Sequence, residues 1–84
     1  MEFMVSVKFR SQDRAEISAR TPQEQAHIKT LREQGIVKVL YISSDLSRVW
    51  LVMQGESQDE VQKVLESLPL HPYMETEIIP LSRM

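Results

Sequence analysis

Glu24, Ile28 and Leu31 stand at i, i+4 and i+7, so on a helix they share one face. A carboxylate on an otherwise apolar stripe loses solvation. That raises its pKa toward the range in which a general base works. Proton transfer is therefore the chemistry this stretch could perform. A plainer reading competes: Thr21 and Glu24 have the spacing of a capping box, which needs no chemistry. His27 is one turn on and could pair with Glu24, or simply face solvent. Lys8 and Arg10 fall on the polar side of an alternating segment, and Lys38 resembles them. A cation at the mouth of an apolar space could hold a carboxylate or stabilise an enolate; a solvated edge is the alternative. Tyr41, Trp50 and Tyr73 could line a flat apolar pocket or belong to core or interface. His71, between Leu70 and Pro72, could reach a ligand or lie at the surface.

Other chemistries leave no trace in the sequence. His27 and His71 are far apart, with no carboxylate at a recognisable metal-ligand spacing. Cysteine is absent, which removes disulfides and thiolate zinc sites. With two glycines there is no glycine-rich phosphate loop, and no G-x-S-x-G elbow occurs. The expectation is an apparatus with no metal and no cofactor, working by side-chain proton transfer on a small-molecule ligand.

The elements that must position these residues each carry a boundary signal. Glu2 to Arg10 alternates, with Phe3, Val5, Val7 and Phe9 on one side, and predicts a strand. Residues 11–20 are polar and fit either a loop or an early helical turn. Thr21-Pro22-Gln23-Glu24 is a helix start and Gly35 a helix end. Ile17 and Thr21 extend the Glu24 stripe backward, so a longer helix kinked at Pro22 is the alternative. Ile36 to Ser43 and Arg48 to Gln54 read as a hairpin about Ser43-Ser44-Asp45-Leu46-Ser47. Ser57 to Glu60 is a second capping box, and Val61, Val64, Leu65 and Leu68 form its helix's apolar stripe. Leu68-Pro69-Leu70-His71-Pro72-Tyr73 is a rigid corner, because two prolines fix φ and remove two donors. A last strand follows, about Met74 to Leu81. The order is β-α-β-β-α-β, the ferredoxin-like split arrangement: a four-stranded antiparallel sheet with two helices on one face.

Two helices cover one face of such a sheet, yet the strands are apolar on both sides. Val37, Val39 and Tyr41 are expected on one side of their strand, with Ile36, Leu40 and Ile42 on the other. Val49, Leu51 and Met53 oppose Trp50 and Val52. A contiguous apolar face on a small domain marks an interaction surface or a ligand cavity. The expectation is a homodimer whose open faces meet.

Length and charge set the remaining bounds. The 84 residues predict one domain, 1–84, and a domain this small buries only about 60% of its unfolded surface. The formal charge of -2, with both signs interspersed, gives no nucleic-acid footprint. No basic-then-apolar leader is visible, and no apolar run approaches the roughly 18 residues of a membrane span. The expected setting is the cytoplasm, with no membrane partner.

The run Leu68-Pro69-Leu70-His71-Pro72-Tyr73 leading into Met74-Glu75-Thr76-Glu77-Ile78-Ile79-Pro80-Leu81 resembles the carboxyl-terminal signature of the muconolactone delta-isomerase family. The resemblance extends back to about Pro22 through the Leu31-to-Gly35 helix end. It implies a dimeric α+β barrel that assembles further, into decamers, and a cofactor-free isomerase of aromatic catabolism. It also implies that Glu24 matches an active-site glutamate of the first helix. The family's second strand carries a tryptophan-arginine-aromatic-leucine-tryptophan-arginine run. Here Val37-Lys38-Val39-Leu40-Tyr41-Ile42 keeps the first basic position as Lys38 and one aromatic as Tyr41. Val39 replaces the central aromatic and Ile42 the second arginine. The family's first-strand lysine matches Ser6, with Lys8 two residues on; His71 stands in place of an aromatic residue.

The resulting expectation is an isomerase shifting a proton on a small unsaturated lactone, as muconolactone becomes the 3-oxoadipate enol-lactone. Glu24 would shuttle the proton, and Lys8 or Lys38 would hold the carboxylate. The alternatives are a related barrel acting on another aromatic or polyketide-like ligand (an oxygenase, a cyclase or a small-ligand binder) and a non-catalytic assembly subunit.

Overall fold

The structure, a computed structural model, describes residues 1–82; the last two positions of the expected 1–84 span lie outside it. Its strands are β1 (Glu2–Phe9), β2 (Val37–Ile42), β3 (Arg48–Gln54) and β4 (Met74–Leu81). Its helices are α1 (Arg14–Glu33) and α2 (Gln58–Glu66), with short 3-10 turns at Ser11–Asp13 and His71–Tyr73. The sheet order is β2-β3-β1-β4 with every neighbouring pair antiparallel, as the ferredoxin-like reading requires.

Helix α1 is one continuous element and begins well before Pro22. Its early segment contains Ala15, Glu16, Ala19 and Arg20, all strong helix formers, and Ile17 packs against the core. Thr21 therefore does not cap a helix start. Its Oγ1 donates back to the Ile17 carbonyl at 2.7 Å, an in-helix bond. The capping-box reading of Glu24 falls with it. At the other end Gly35 has φ 76°. There Gly35 N–H donates to Arg32 O at 3.1 Å and Ile36 N–H to Leu31 O at 2.9 Å, a Schellman stop. The cap of α2 follows its sequence signal: Glu60 N–H donates to Ser57 Oγ at 3.2 Å, and Glu60 Oε2 accepts from Glu56 N–H at 3.2 Å.

The core lies between sheet and helices. Phe3, Val5 and Val7 of β1 and Leu51 and Met53 of β3 are buried against Val61 and Leu65 of α2 and Leu31 of α1. Leu68, Leu70 and Met74 pin the proline corner to the same cluster. Strand β2 departs from simple alternation. Val37 pairs with Met53 but Val39 with Val52, so a bulge shifts the register between them. Val37 thus shares the helix-side face with Leu40 and Ile42, while Val39 and Tyr41 turn to the other. The expected grouping of Val37 with Val39 and Tyr41 is corrected by that one extra residue.

The open face carries Met4 and Ile79 opposite each other, Val39 opposite Val52, and Tyr41 opposite Trp50. Val39, Tyr41 and Ile79 are exposed. Arg48 lies over Trp50, 5.4 Å from the ring centre, and donates to Ser6 Oγ at 3.0 Å.

Candidate active site

Helix α1 is deeply buried at only Leu31 and Glu24; Ile17, Thr21 and Ile28 are half-buried. Between the inward stripe of α1 and the sheet lies a cleft of about 1050 Å³. Val7, Val49 and Leu51 line it from the sheet, with Leu40 and Ile42 from β2. Ile17, Thr21, Glu24 and Ile28 line it from α1, and Leu68, Leu70 and Met74 from the proline corner. Glu24 is 9% exposed and, among the described residues, is the one charged residue with a buried side chain.

The Glu24 carboxylate accepts a hydrogen bond from Leu70 N–H at 3.1 Å. The bond joins the middle of α1 to the corner between the two prolines. Burial pushes the Glu24 pKa above its ordinary value of 4.5. The Leu70 hydrogen bond and the influence of His27 pull the other way and are smaller. A carboxyl group facing an apolar cleft, with a raised pKa, can take a proton from a bound molecule and return it elsewhere.

The remaining residues named from the sequence are placed apart from this cleft. None of Lys8, Lys38, Tyr41, His27, His71 and Tyr73 is among its lining residues in the described part of the chain. Alternation along β1 puts Lys8 on the open face, opposite Arg48 and Glu75. Tyr41, 67% exposed, is also on that face. Lys38 is exposed within the β2 bulge. His27 Nε2 lies 3.0 Å from Ser67 Oγ, in a separate groove shared with Gln23, Thr30 and Pro69. His71 N–H donates to Leu68 O at 3.0 Å at the start of its 3-10 turn. Tyr73 is half-buried with the Arg20 guanidinium 5.8 Å above its ring.

The cations that do line the cleft are Arg10, Arg14, Lys29 and Arg32. Arg14 lies one turn before Ile17 on the stripe that continues through Thr21 and Glu24. Reading the helix start at Pro22 hides it. Arg10 also anchors the corner, its Nη1 donating to Pro72 O at 3.3 Å. Among the described residues no group of three or more histidines, aspartates or glutamates converges to hold a metal. In the same part of the chain no helix is long and apolar enough to cross a membrane.

The fold is ferredoxin-like α+β, and it sets one desolvated carboxyl group in a largely apolar cleft, an arrangement that could move a proton on a molecule bound there. The muconolactone delta-isomerase family profile matches residues 1–84, and the chain belongs to that family. A solved muconolactone isomerase superposes with a TM-score of 0.82 at 24% identity, covering 100% of this chain and 91% of that one. The 5-chloro-2-hydroxyhydroquinone dehydrochlorinase of Burkholderia phenoliruptrix AC1100, solved with 2,5-dihydroxybenzoquinone, superposes with a TM-score of 0.84 at 19% identity. That match covers 100% of this chain and 96% of the dehydrochlorinase. No curated protein sequence matches the chain.

Proposed function

We propose that the protein is a cofactor-free isomerase that shifts a proton on a small unsaturated lactone bearing a carboxylate, of the muconolactone to 3-oxoadipate enol-lactone type. The observation that carries this is Glu24: a carboxylate in the cleft, held by Leu70 N–H, with its pKa raised by burial. Glu24 removes a proton from a ring carbon. The electron pair of that C–H bond spreads into the unsaturated carbonyl system as a dienolate. The same carboxyl group then returns the proton to a different carbon, and the double bond moves. No oxidant or reductant is consumed. Lys8 and Lys38 are on other surfaces of the protomer, so the carboxylate-holding role goes to Arg10, which lines the cleft and reaches the proline corner that also holds Glu24. Its charge also favours the dienolate.

One observation supports a second reading. Leu40 and Ile42 make the β2 wall of the cleft apolar, where the family pattern has an arginine at the Ile42 position. A flat aromatic or quinone-like ligand fits such a wall, and the dehydrochlorinase of the same fold was solved with one. Two copies are proposed to close their open faces over Val39, Tyr41, Trp50 and Ile79, as the exposed apolar face favours.

The test is spectrophotometric conversion of muconolactone by wild type and Glu24→Gln. Turnover by wild type and a loss of about 100-fold or more in the variant are expected. A folded wild type without turnover removes the isomerase reading in favour of the second. Equal rates remove Glu24.

A further inference from the structure

The β2–β3 hairpin turns tightly between Ser43 and Arg48. Ser43 N–H donates to Arg48 O and Leu46 N–H to Ser43 O, each at 2.9 Å. Asp45 braces the loop by accepting from Ser43 Oγ at 2.7 Å, Ser47 Oγ at 2.7 Å and Ser47 N–H at 3.0 Å. Ser47 O in turn accepts from Phe9 N–H at 3.1 Å, tying the loop to the end of β1. Within this brace Leu46 has φ 64°, and it alone among the described non-glycine residues has a positive φ. A turn followed by a left-handed residue ordinarily places glycine or asparagine there, because a Cβ is strained in that region. A leucine is a costly choice, and packing does not offset it: the side chain is 72% exposed.

Leu46 nevertheless has a definite place. It lines the same cleft as Glu24, beside Ile42, which is itself 55% exposed. Two large apolar side chains thus stand uncovered at the mouth of an apolar cleft whose far wall holds the desolvated carboxyl. Strain retained at an exposed residue points to a contact made only when a ligand is bound. We propose that Leu46, with Ile42, is a specificity-determining contact that covers the apolar edge of a flat unsaturated acid or lactone bound against Glu24. The assignment rests on the proton-shift reading for the identity of the ligand but not for the position of the contact.

Leu46→Asn and Leu46→Gly both suit the left-handed backbone and remove the apolar bulk, so both are expected to fold with a thermal midpoint equal to or above wild type. KM for muconolactone is expected to rise about tenfold, a loss of roughly 1.4 kcal/mol in binding. The loss should fall in KM rather than in kcat. A second readout is the fluorescence titration of anilinonaphthalene sulfonate, an aromatic anion suited to a largely apolar cleft that cations also line. Its Kd should rise in both variants by a similar factor, and muconolactone should displace it from wild type. KM and Kd within twofold of wild type would overturn the assignment. So would a shift in sedimentation with unchanged binding, since Leu46 would then face a second copy of the chain. A wild type that binds the probe but does not convert muconolactone overturns the proton-shift reading alone; the ratio of probe affinities still decides Leu46.

Discussion

The Glu24–Leu70 hydrogen bond makes one residue both a candidate base and a structural tie. Substitution by alanine and by glutamine separates the two roles. Glutamine keeps an acceptor for Leu70 N–H, 3.1 Å away in the native chain, and removes the charge that burial penalises. Alanine removes the acceptor and leaves Leu70 N–H without its partner inside the corner. An orphaned buried donor costs about 1–3 kcal/mol. In a domain of this size each kcal/mol moves the midpoint by about 4–8 °C, so Glu24→Ala should melt roughly 10 °C below Glu24→Gln. The pH dependence has a defined sign. Because the folded-state pKa of Glu24 is raised above 4.5, the folded chain binds more protons than the unfolded chain between those values. Wild-type stability relative to Glu24→Gln is greatest below pH 4.5 and is lost as pH rises through the folded pKa. Above that window Glu24→Gln is at least as stable as wild type. Urea denaturation of the three proteins at acid and neutral pH reads both effects. Equal stability of the alanine and glutamine variants would refute the tie, and a wild type that gains on Glu24→Gln with rising pH would refute the desolvation argument.

Further outcomes follow from the same geometry. A Cβ added at Gly55 would approach Val61 Cγ2 to 2.9 Å, and Val61 is only 1% exposed, so Gly55→Ala should lose about 1–3 kcal/mol in denaturant titration. Ser57→Ala removes the acceptor for Glu60 N–H at α2 and should cost about 1 kcal/mol by the same measurement. Asp45, held at a pKa of about 2 by Ser47 and Ser43, is depressed from 3.8. Its contribution is present above the unfolded pKa and lost as pH falls toward the folded one. The stability gap between wild type and Asp45→Asn should therefore close between about pH 4 and pH 2 in acid titration. If two open faces meet, Ile79→Arg, at an exposed apolar position of β4, should shift the sedimenting species to the monomer while far-ultraviolet circular dichroism stays unchanged.

Local signals in the chain were strong enough to read the fold. Gly35, Ser57 with Glu60, and the proline corner each mark a boundary that hydrogen bonds then fill. The start of α1 was obscured because Pro22 mimics a first helical position, while the good helix formers before it and the packing of Ile17 carry the helix through. The bulge in β2 was invisible for a related reason: an alternating apolar run contains no mark of the one residue that slips out of register. Glu24 was legible as an inward carboxylate because its stripe is helical wherever the helix begins. The cations were not. Lys8 and Lys38 are conspicuous in sequence, but alternation and the bulge carry them away from the cleft. Arg14 enters it only once α1 is known to extend that far. Leu46 carried no sequence signal, since a positive φ at leucine is a property of the closed hairpin rather than of its residues.

The most direct test of Glu24 as the proton carrier is the pH profile of kcat/KM for muconolactone isomerisation, measured on wild type and Glu24→Gln. A base in the free enzyme with its pKa raised by burial predicts an acid limb whose midpoint lies above 4.5. In the variant that limb should be absent and the rate lower by about 100-fold or more. A variant that retains both the wild-type rate and the same limb would contradict it, and the proton would have to be carried by another group.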